Sequence, residues 1–264
     1  MAGPKKKRSA TAKQSAGKYA NTVIAICVQE TTEDGSNLEL DERFDERQLD
    51  LLSQSFTADT LVSALSVPGA SVRLFYGNGS ETVASVEKII GYVQSRLEKE
   101  RGEAVDSRLF LDVELPAERW GVKMETAIKD CFAEGFEKVI FLGSRAPTLT
   151  TKLIIQAIDN LDKFDAVFGP TVEGRYYLMG MRGKYHTSLS QFDWSEPTIY
   201  SDVSNTLTAE GLHWTELEMW YVVEHPEDLE YLVRDINQFR MIGDETTAHE
   251  TELTLSRLLA ETEV

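Results

Sequence analysis

The chain has 264 residues, 42% of them hydrophobic, and a formal net charge of −17. That is enough apolar content for one α/β domain of ordinary enzyme size, and too much acid for a nucleic-acid or anionic-membrane binder. No run approaches the roughly 18–20 apolar residues that cross a bilayer, so the expectation is a cytoplasmic protein with small-molecule partners, no nucleic acid and no membrane.

The charge is uneven along the chain. Residues 1–19 hold six of the 27 bases and no acid, which leaves 21 bases against 44 acids, or −23, in the remainder. This leader has no apolar core of its own and reads as a disordered basic tail; Pro4-Lys5-Lys6-Lys7-Arg8 resembles a nuclear-import signal. From residue 20 to 262 the pattern predicts a single α/β domain. Thr22–Val28 is a strand, and the segment after it, Val28 to Arg47, carries eight carboxylates against Arg43 and Arg47. Glu46–Leu65 spaces Leu49, Leu52, Phe56, Leu61 and Leu65 for one helix face. Pro68-Gly69 turns the chain, after which Val72–Tyr76 is a strand, Val83–Lys99 a helix, Arg108–Val113 a strand and Trp120–Ala133 a helix closed near Gly135. Val139–Leu142, Leu153–Leu161, Ala166–Phe168 and Tyr176–Met181 continue the alternation. A helix over Ile199–Ala209, a strand over Leu217–Val223 and helices from Pro226 and Thr247 follow. Such alternation predicts a Rossmann-like α/β fold, a mainly parallel mixed sheet with right-handed crossovers and helices on both faces. Cys27 in a strand and Cys131 in a helix read as two buried thiols rather than a disulfide.

Two segments stand at predicted strand ends. Gly143-Ser144-Arg145-Ala146-Pro147 links Val139–Leu142 to the next helix, and Phe168-Gly169-Pro170 runs into Glu173-Gly174-Arg175-Tyr176-Tyr177-Leu178-Met179-Gly180. Ligands of open α/β sheets bind beyond the carboxyl ends of the strands, so the two segments are expected to share one edge and one pocket.

Together with Trp194-Ser195-Glu196-Pro197-Thr198 and Pro226-Glu227-Asp228-Leu229, these motifs resemble, in order and spacing, the bacterial family of small glycosyltransferases of the radical-SAM/selenodomain-associated type. The likeness runs from about Leu109 to Leu232. It implies a GT-A, nucleotide-diphospho-sugar transferase fold, with a nucleotide-sugar and a small-molecule acceptor as substrates. Three departures qualify that implication. Arg145 stands where the family has an aspartate that helps hold a divalent metal, and a guanidinium cannot ligate a cation, whereas Mg²⁺ and Mn²⁺ take hard oxygen ligands. The family's basic phosphate-gripping loop is here the acidic stretch from Val28 to Arg47, which repels a pyrophosphate. Where the family tends to read Tyr-Asp-Val-Asp-Thr-Pro, this chain reads Tyr221-Val222-Val223-Glu224-His225-Pro226, keeping one carboxylate and replacing the other with Val222. The expectation is therefore a glycosyltransferase-like protein with a degenerate donor site, no metal, no cofactor and weak or no catalysis. The alternative is an active metal-independent transferase that uses Arg145 in the metal's place.

Each candidate residue has a structural reading beside the functional one. Arg145 binds a phosphate or pairs with a nearby carboxylate such as Glu173. Glu173 and Glu224 are the candidate bases for an acceptor hydroxyl. Ser144 and Gly174 offer close approach to a ligand, although Gly174 also suits a hairpin turn. Tyr176 and Tyr177 alternate, so one packs in the core and the other faces the site. Trp194 walls an acceptor site or is plain packing, and His225 is a base or a helix-start residue. The sequence carries no signal for an oligomeric state.

Overall fold

The computed structural model describes residues 17–28, 40, 44–77, 80–102, 108–113, 119–183, 188–194 and 196–262. The leader through residue 16 and most of the acidic stretch after the first strand lie outside them. The elements in chain order are β1 (Thr22–Cys27), α1 (Glu46–Leu65), β2 (Ser71–Tyr76), α2 (Ser80–Arg101), β3 (Leu109–Val113), α3 (Trp120–Ala133) and β4 (Lys138–Gly143). They continue with α4 (Thr151–Asn160), β5 (Ala166–Pro170), β6 (Tyr176–Arg182), α5 (Ile199–Ala209), β7 (Trp214–Glu216), α6 (Pro226–Met241) and α7 (His249–Thr262).

The seven strands form one sheet in the order β3-β2-β1-β4-β6-β5-β7. β1 pairs in parallel with β2 and β4, and β2 with β3, while β6 runs antiparallel to both β4 and β5; β7 is parallel to β5. One reversed strand thus sits inside an otherwise parallel sheet, which puts the carboxyl ends of β1, β4 and β5 on a common edge. The period-2 alternation of β1 sorts its side chains between the two faces. Ile24 and Ile26 join Leu61, Leu74, Val93, Leu142 and Ile154 under α1, α2 and α4. Val23, Ala25 and Cys27 join Ile128, Phe141 and Val203 under α3 and α5. Both cysteines are buried free thiols on that second face, and burial pushes the Cys27 thiol well above its ordinary value.

α1 is buried over every residue from Ser55 to Leu65. An amphipathic helix hides one stripe, whereas a helix covered all round lies between layers. Here α1 has the sheet on one side and α6 and α7 on the other, where Phe56, Leu52, Leu232, Ile236, Leu255 and Leu258 form a third apolar cluster. Its buried hydroxyls are satisfied within the helix, Ser55 donating to the Leu52 carbonyl at 2.7 Å and Thr60 to the Phe56 carbonyl at 2.8 Å. Ahead of β1, Tyr19 is packed into the sheet's first core, and Lys18 reaches Asp159 of α4 at 3.2 Å.

The expected strand over Leu217–Val223 is a correction. The ladder with β5 is made instead by Trp214–Glu216, and the alternating Leu217, Met219, Tyr221 and Val223 belong to a segment that leaves the ladder to cross the sheet edge. Its backbone donors are split between β5 and the loop after β4: Leu217 donates to the Phe168 carbonyl (2.8 Å) and Trp220 to that of Pro170 (3.0 Å), both in β5, whereas Val223 donates to that of Arg145 (2.8 Å).

Candidate functional site

The loop from Gly143 to Thr150 leaves β4 at the carboxyl edge and is almost wholly buried. Ser144 and Arg145 are 1% and 4% exposed, and Thr148 and Leu149 are buried beneath the crossing segment. The roof is held by side chains as well as backbone. The Trp220 indole N–H donates to Thr148 Oγ1 at 3.1 Å, and Thr148 Oγ1 donates to the Tyr221 hydroxyl at 3.0 Å. The two aromatic rings are stacked with centroids 5.9 Å apart. Below them the Tyr177 hydroxyl donates to the Glu218 carbonyl at 2.8 Å. Thr150 then caps α4, its side chain accepting from the Leu153 N–H.

The second segment arrives from the other side of the same edge. β5 and β6 are joined by a turn in which Arg175 N–H bonds Thr171 Oγ1 at 3.1 Å and the Thr171 N–H bonds the Arg175 carbonyl at 2.9 Å. Gly174 takes φ 76°, a conformation in which any other residue carries a steric cost. A Cβ there would also lie 2.5 Å from the Pro197 carbonyl oxygen. The Gly174 carbonyl accepts the Tyr200 N–H of α5 at 3.1 Å, so the turn is bolted to that helix. Gly174 therefore serves both the turn and a close approach, in this case to the chain's own backbone.

Between the two segments stands Glu224. Its Oε1 accepts from the Arg145 guanidinium at 3.3 Å and its Oε2 from the Arg175 guanidinium at 2.7 Å. Exposure rises along the series, from 5% for the Arg145 side chain to 18% for Glu224 and 39% for Arg175. Burial lowers the Arg145 guanidinium from its ordinary value and Arg175 pushes the same way, while Glu224 opposes them. The expected pairing of Arg145 with Glu173 is corrected: Glu173 is exposed in the β5–β6 turn, and the carboxylate that meets Arg145 is Glu224, 79 residues downstream. Sequence reasoning misses Arg175, since Glu173-Gly174 draws attention one position too early.

The remaining candidates fall in two groups. His225 follows Glu224 and is exposed at the start of α6, where the buried Asp228 carboxylate accepts the backbone N–H groups of Glu224 (2.9 Å) and His225 (2.8 Å). Tyr176 and Trp194 lie away from the ion cluster, on the face covered by α3 and α5. The Tyr176 hydroxyl donates to the Tyr200 carbonyl, its ring packs against Phe168, Tyr200 and Trp194, and the Trp194 indole donates to the Leu189 carbonyl at 2.9 Å. Trp194 also fills the space over Gly121, where a Cβ would approach its ring within 2.4 Å. Val222 packs against the apolar core under α1, α2 and α4. Among the described residues no three His, Cys, Asp or Glu side chains are gathered in a way that could hold a metal ion, and the position facing Glu224 is filled by a cation. The described residues at that position do not fit a divalent ion.

Comparison with known proteins agrees with this architecture. A solved structure described as a "putative nucleotide-diphospho-sugar transferase" from Desulfovibrio desulfuricans G20 superposes with a TM-score of 0.70 at 19% identity, over 92% of this chain and 98% of that one. The 4-diphosphocytidyl-2C-methyl-D-erythritol synthase of Anaerococcus prevotii DSM 20548 gives 0.50 at 15% identity, over 82% and 96%. No curated protein matches. Residues 67–196 match the family described as "Uncharacterized protein conserved in bacteria (DUF2064)", a stretch that holds both the Gly143–Pro147 loop and the β5–β6 turn. The chain has the nucleotide-diphospho-sugar transferase type of α/β fold and, across that stretch, resembles this bacterial family.

Proposed function

We propose that this chain is a nucleotide-sugar-transferase-like protein whose donor edge is closed by an internal ion cluster, so that it transfers sugar weakly or not at all. The observation that carries this reading is Glu224 bridging Arg145 and Arg175. A divalent ion that would neutralise a diphosphate leaving group needs carboxylates directed at it. Here the carboxylate at that edge is engaged by two cations, and the partner position is a guanidinium. Glu224 would have to leave one arginine before it could take a proton from an acceptor hydroxyl, and Glu173 faces solvent from a turn. Removing one electrostatic partner of developing transition-state charge typically costs on the order of 10²–10³ in rate.

One observation favours the alternative, a metal-independent glycosyltransferase. Two guanidinium groups, Arg145 and Arg175, stand at this edge, and together they could supply charge that a metal supplies elsewhere. Release of nucleoside diphosphate from common nucleotide-sugars, measured with Mn²⁺ for the parent, Arg145→Ala and Arg145→Asp, separates the two. The non-catalytic reading expects no turnover by the parent and none by Arg145→Ala. Turnover by the parent that is lost in Arg145→Ala overturns it. Activity only in Arg145→Asp with Mn²⁺ supports it, by identifying this position as the one that silences the site.

A further inference from the structure

We propose that α7 is a proton-latched strap: it is held on α1 while Asp59 carries a proton, and it swings off at Ala248, with the sheet and the other helices still folded, once Asp59 ionises. The inference does not depend on what the sheet edge binds. Three features of the geometry lead there.

The first is the latch. Asp59 lies within α1 and is 2% exposed, and its hydrogen-bond partners all belong to the start of α7: the Glu250 N–H (3.1 Å), and the N–H (2.8 Å) and hydroxyl (2.7 Å) of Thr251. None of these is a cation, and a buried carboxylate without one ionises reluctantly. The charged and titratable groups that face it are Glu250 of α7 and Arg96 and Tyr92 of α2. Glu250 opposes ionisation. Arg96 favours it, but is already shared between Glu100 (2.9 Å) and Glu250 (2.7 Å). Burial, with Glu250 adding to it, pushes the Asp59 carboxyl up to about 7 against the hydrogen bonds.

The second is the joint. The corner after α6 is fixed to that helix, because Arg240 donates to the carbonyls of Asp244 (2.5 Å) and Thr247 (3.1 Å), and the Asp244 carboxylate accepts the N–H groups of Thr246 and Thr247. The next residue, Ala248, has φ 54°, the one positive value outside glycine among the described residues. A side chain held in that region is strained, so the backbone relaxes at the point where α7 begins. The third is how α7 is attached. It rests on α1 rather than on the sheet, with Thr251, Leu255 and Leu258 buried and Leu253 and Leu259 exposed. Its departure parts the Arg96–Glu250 and Arg240–Glu252 pairs but returns both members of each to water, so that no charge is stranded. It bares Leu52 and Phe56 of α1 and breaks no strand pairing.

On release Asp59 meets water and its carboxyl returns to the ordinary range near 4. The docked value is the raised one, so docking is strongest at low pH and is lost as pH rises through about 7.

The test is amide hydrogen exchange of the full chain from pH 5 to pH 8, with intrinsic rates divided out and at urea concentrations below the unfolding transition, for the parent and Asp59→Asn. The proposal expects the α7 amides to exchange together, through an opening far less protected and far less urea-dependent than that of β1 and β4. From pH 5 to pH 8 that opening should become on the order of tenfold to a hundredfold more populated in the parent. Asp59→Asn, which cannot ionise, should remove the dependence. Amides of α7 as protected and as urea-dependent as those of β1 and β4 overturn the proposal, because the helix then leaves only with the whole fold. So does α7 protection that ignores pH in the parent, or a pH dependence that survives Asp59→Asn. Should Asp59→Asn fail to fold, Thr251→Val takes its place. Without that hydroxyl the docked carboxyl keeps its proton to higher pH, so a fall in α7 protection that extends upward in pH supports the proposal, and one that stays where it is in the parent overturns it.

Discussion

Arg145 is 4% exposed, and a buried guanidinium is tolerated only with a counter-charge in hydrogen-bonding reach. Glu224 is within that reach at 3.3 Å, so removing its carboxylate should destabilise the fold as well as change the site. Breaking a fully buried ion pair by deleting one partner typically costs about 3–5 kcal/mol. Glu224 retains 18% exposure, which lets water replace part of the loss, so Glu224→Gln should cost about 2 kcal/mol in urea denaturation. Arg145→Met added to Glu224→Gln should recover most of it, because the buried charge that Glu224 offsets is gone too. A double variant as unstable as Glu224→Gln alone would show that the cost lies elsewhere. The sequence made Arg145 conspicuous, as a cation in a loop where the resembling family has a metal ligand. It could not supply the partner. Glu173 was the nearest carboxylate in a matching motif, whereas the residue in contact is 79 positions away and reaches the loop only because the chain crosses the sheet edge.

Boundaries of α1, α3 and α5 were readable because local signals agree: Asp45 caps α1 with Gln48 returning to it, and an apolar face runs through each helix. The strand over 217–223 was misread because period-2 alternation is shared by a strand and by an extended segment lying across an edge; only the destination of its backbone donors distinguishes them. Sequence periodicity also held no sign of Asp59. This α1 carboxylate is 2% exposed and caps a different helix, accepting the α7 N–H groups of Glu250 (3.1 Å) and Thr251 (2.8 Å) and the Thr251 hydroxyl (2.7 Å). Glu250 itself is held by Arg96 and Tyr92 of α2, so one cap joins three helices. Burial pushes the Asp59 carboxyl up to about 7, against the three hydrogen bonds, and the neighbouring Glu250 carboxylate adds to the rise. The folded value then lies above the unfolded one near 4, and the folded state holds a proton that the unfolded state has already lost. Stability from this group is full at low pH and is lost as pH rises through about 7. The parent should melt at progressively lower temperature from pH 5 to pH 8, and Asp59→Asn should flatten that slope while lowering stability at pH 5 by about 1 kcal/mol through loss of one accepting oxygen. An unchanged slope in Asp59→Asn would assign the pH dependence to another group.

At the scale of the molecule, the alternation of apolar runs was sufficient to specify a parallel sheet with helices on both faces, and strand-end loops were sufficient to specify which edge to search. Alternation does not reveal strand direction, so the reversed β6 came from the structure, although the short turn between β5 and β6 is its physical cause: the five residues between Pro170 and Tyr176 cannot carry the chain back for a parallel pairing. That reversal keeps the β5 end on the same edge as the β4 end, with β6 between them, and lets Arg175 and Arg145 share Glu224. On the proposed reading of this edge, a nucleotide-sugar that binds here is held by side chains and backbone rather than through an ion. A metal-dependent donor site loses its ligand on chelation, because the diphosphate and the protein carboxylates repel one another without the cation. In this chain a cation is covalently part of the edge. Calorimetric titration with a nucleotide-sugar should give one affinity in EDTA, and addition of Mn²⁺ should leave it within about twofold, less than the 0.6 kcal/mol that RT represents. In Arg145→Asp the order should reverse, with binding weakened in EDTA by the added carboxylate and restored by Mn²⁺ once that introduced carboxylate and Glu224 face each other. A tenfold gain on adding Mn²⁺ to the parent would mean that carboxylates other than these assemble a metal site, and would remove the argument that Arg145 replaced it.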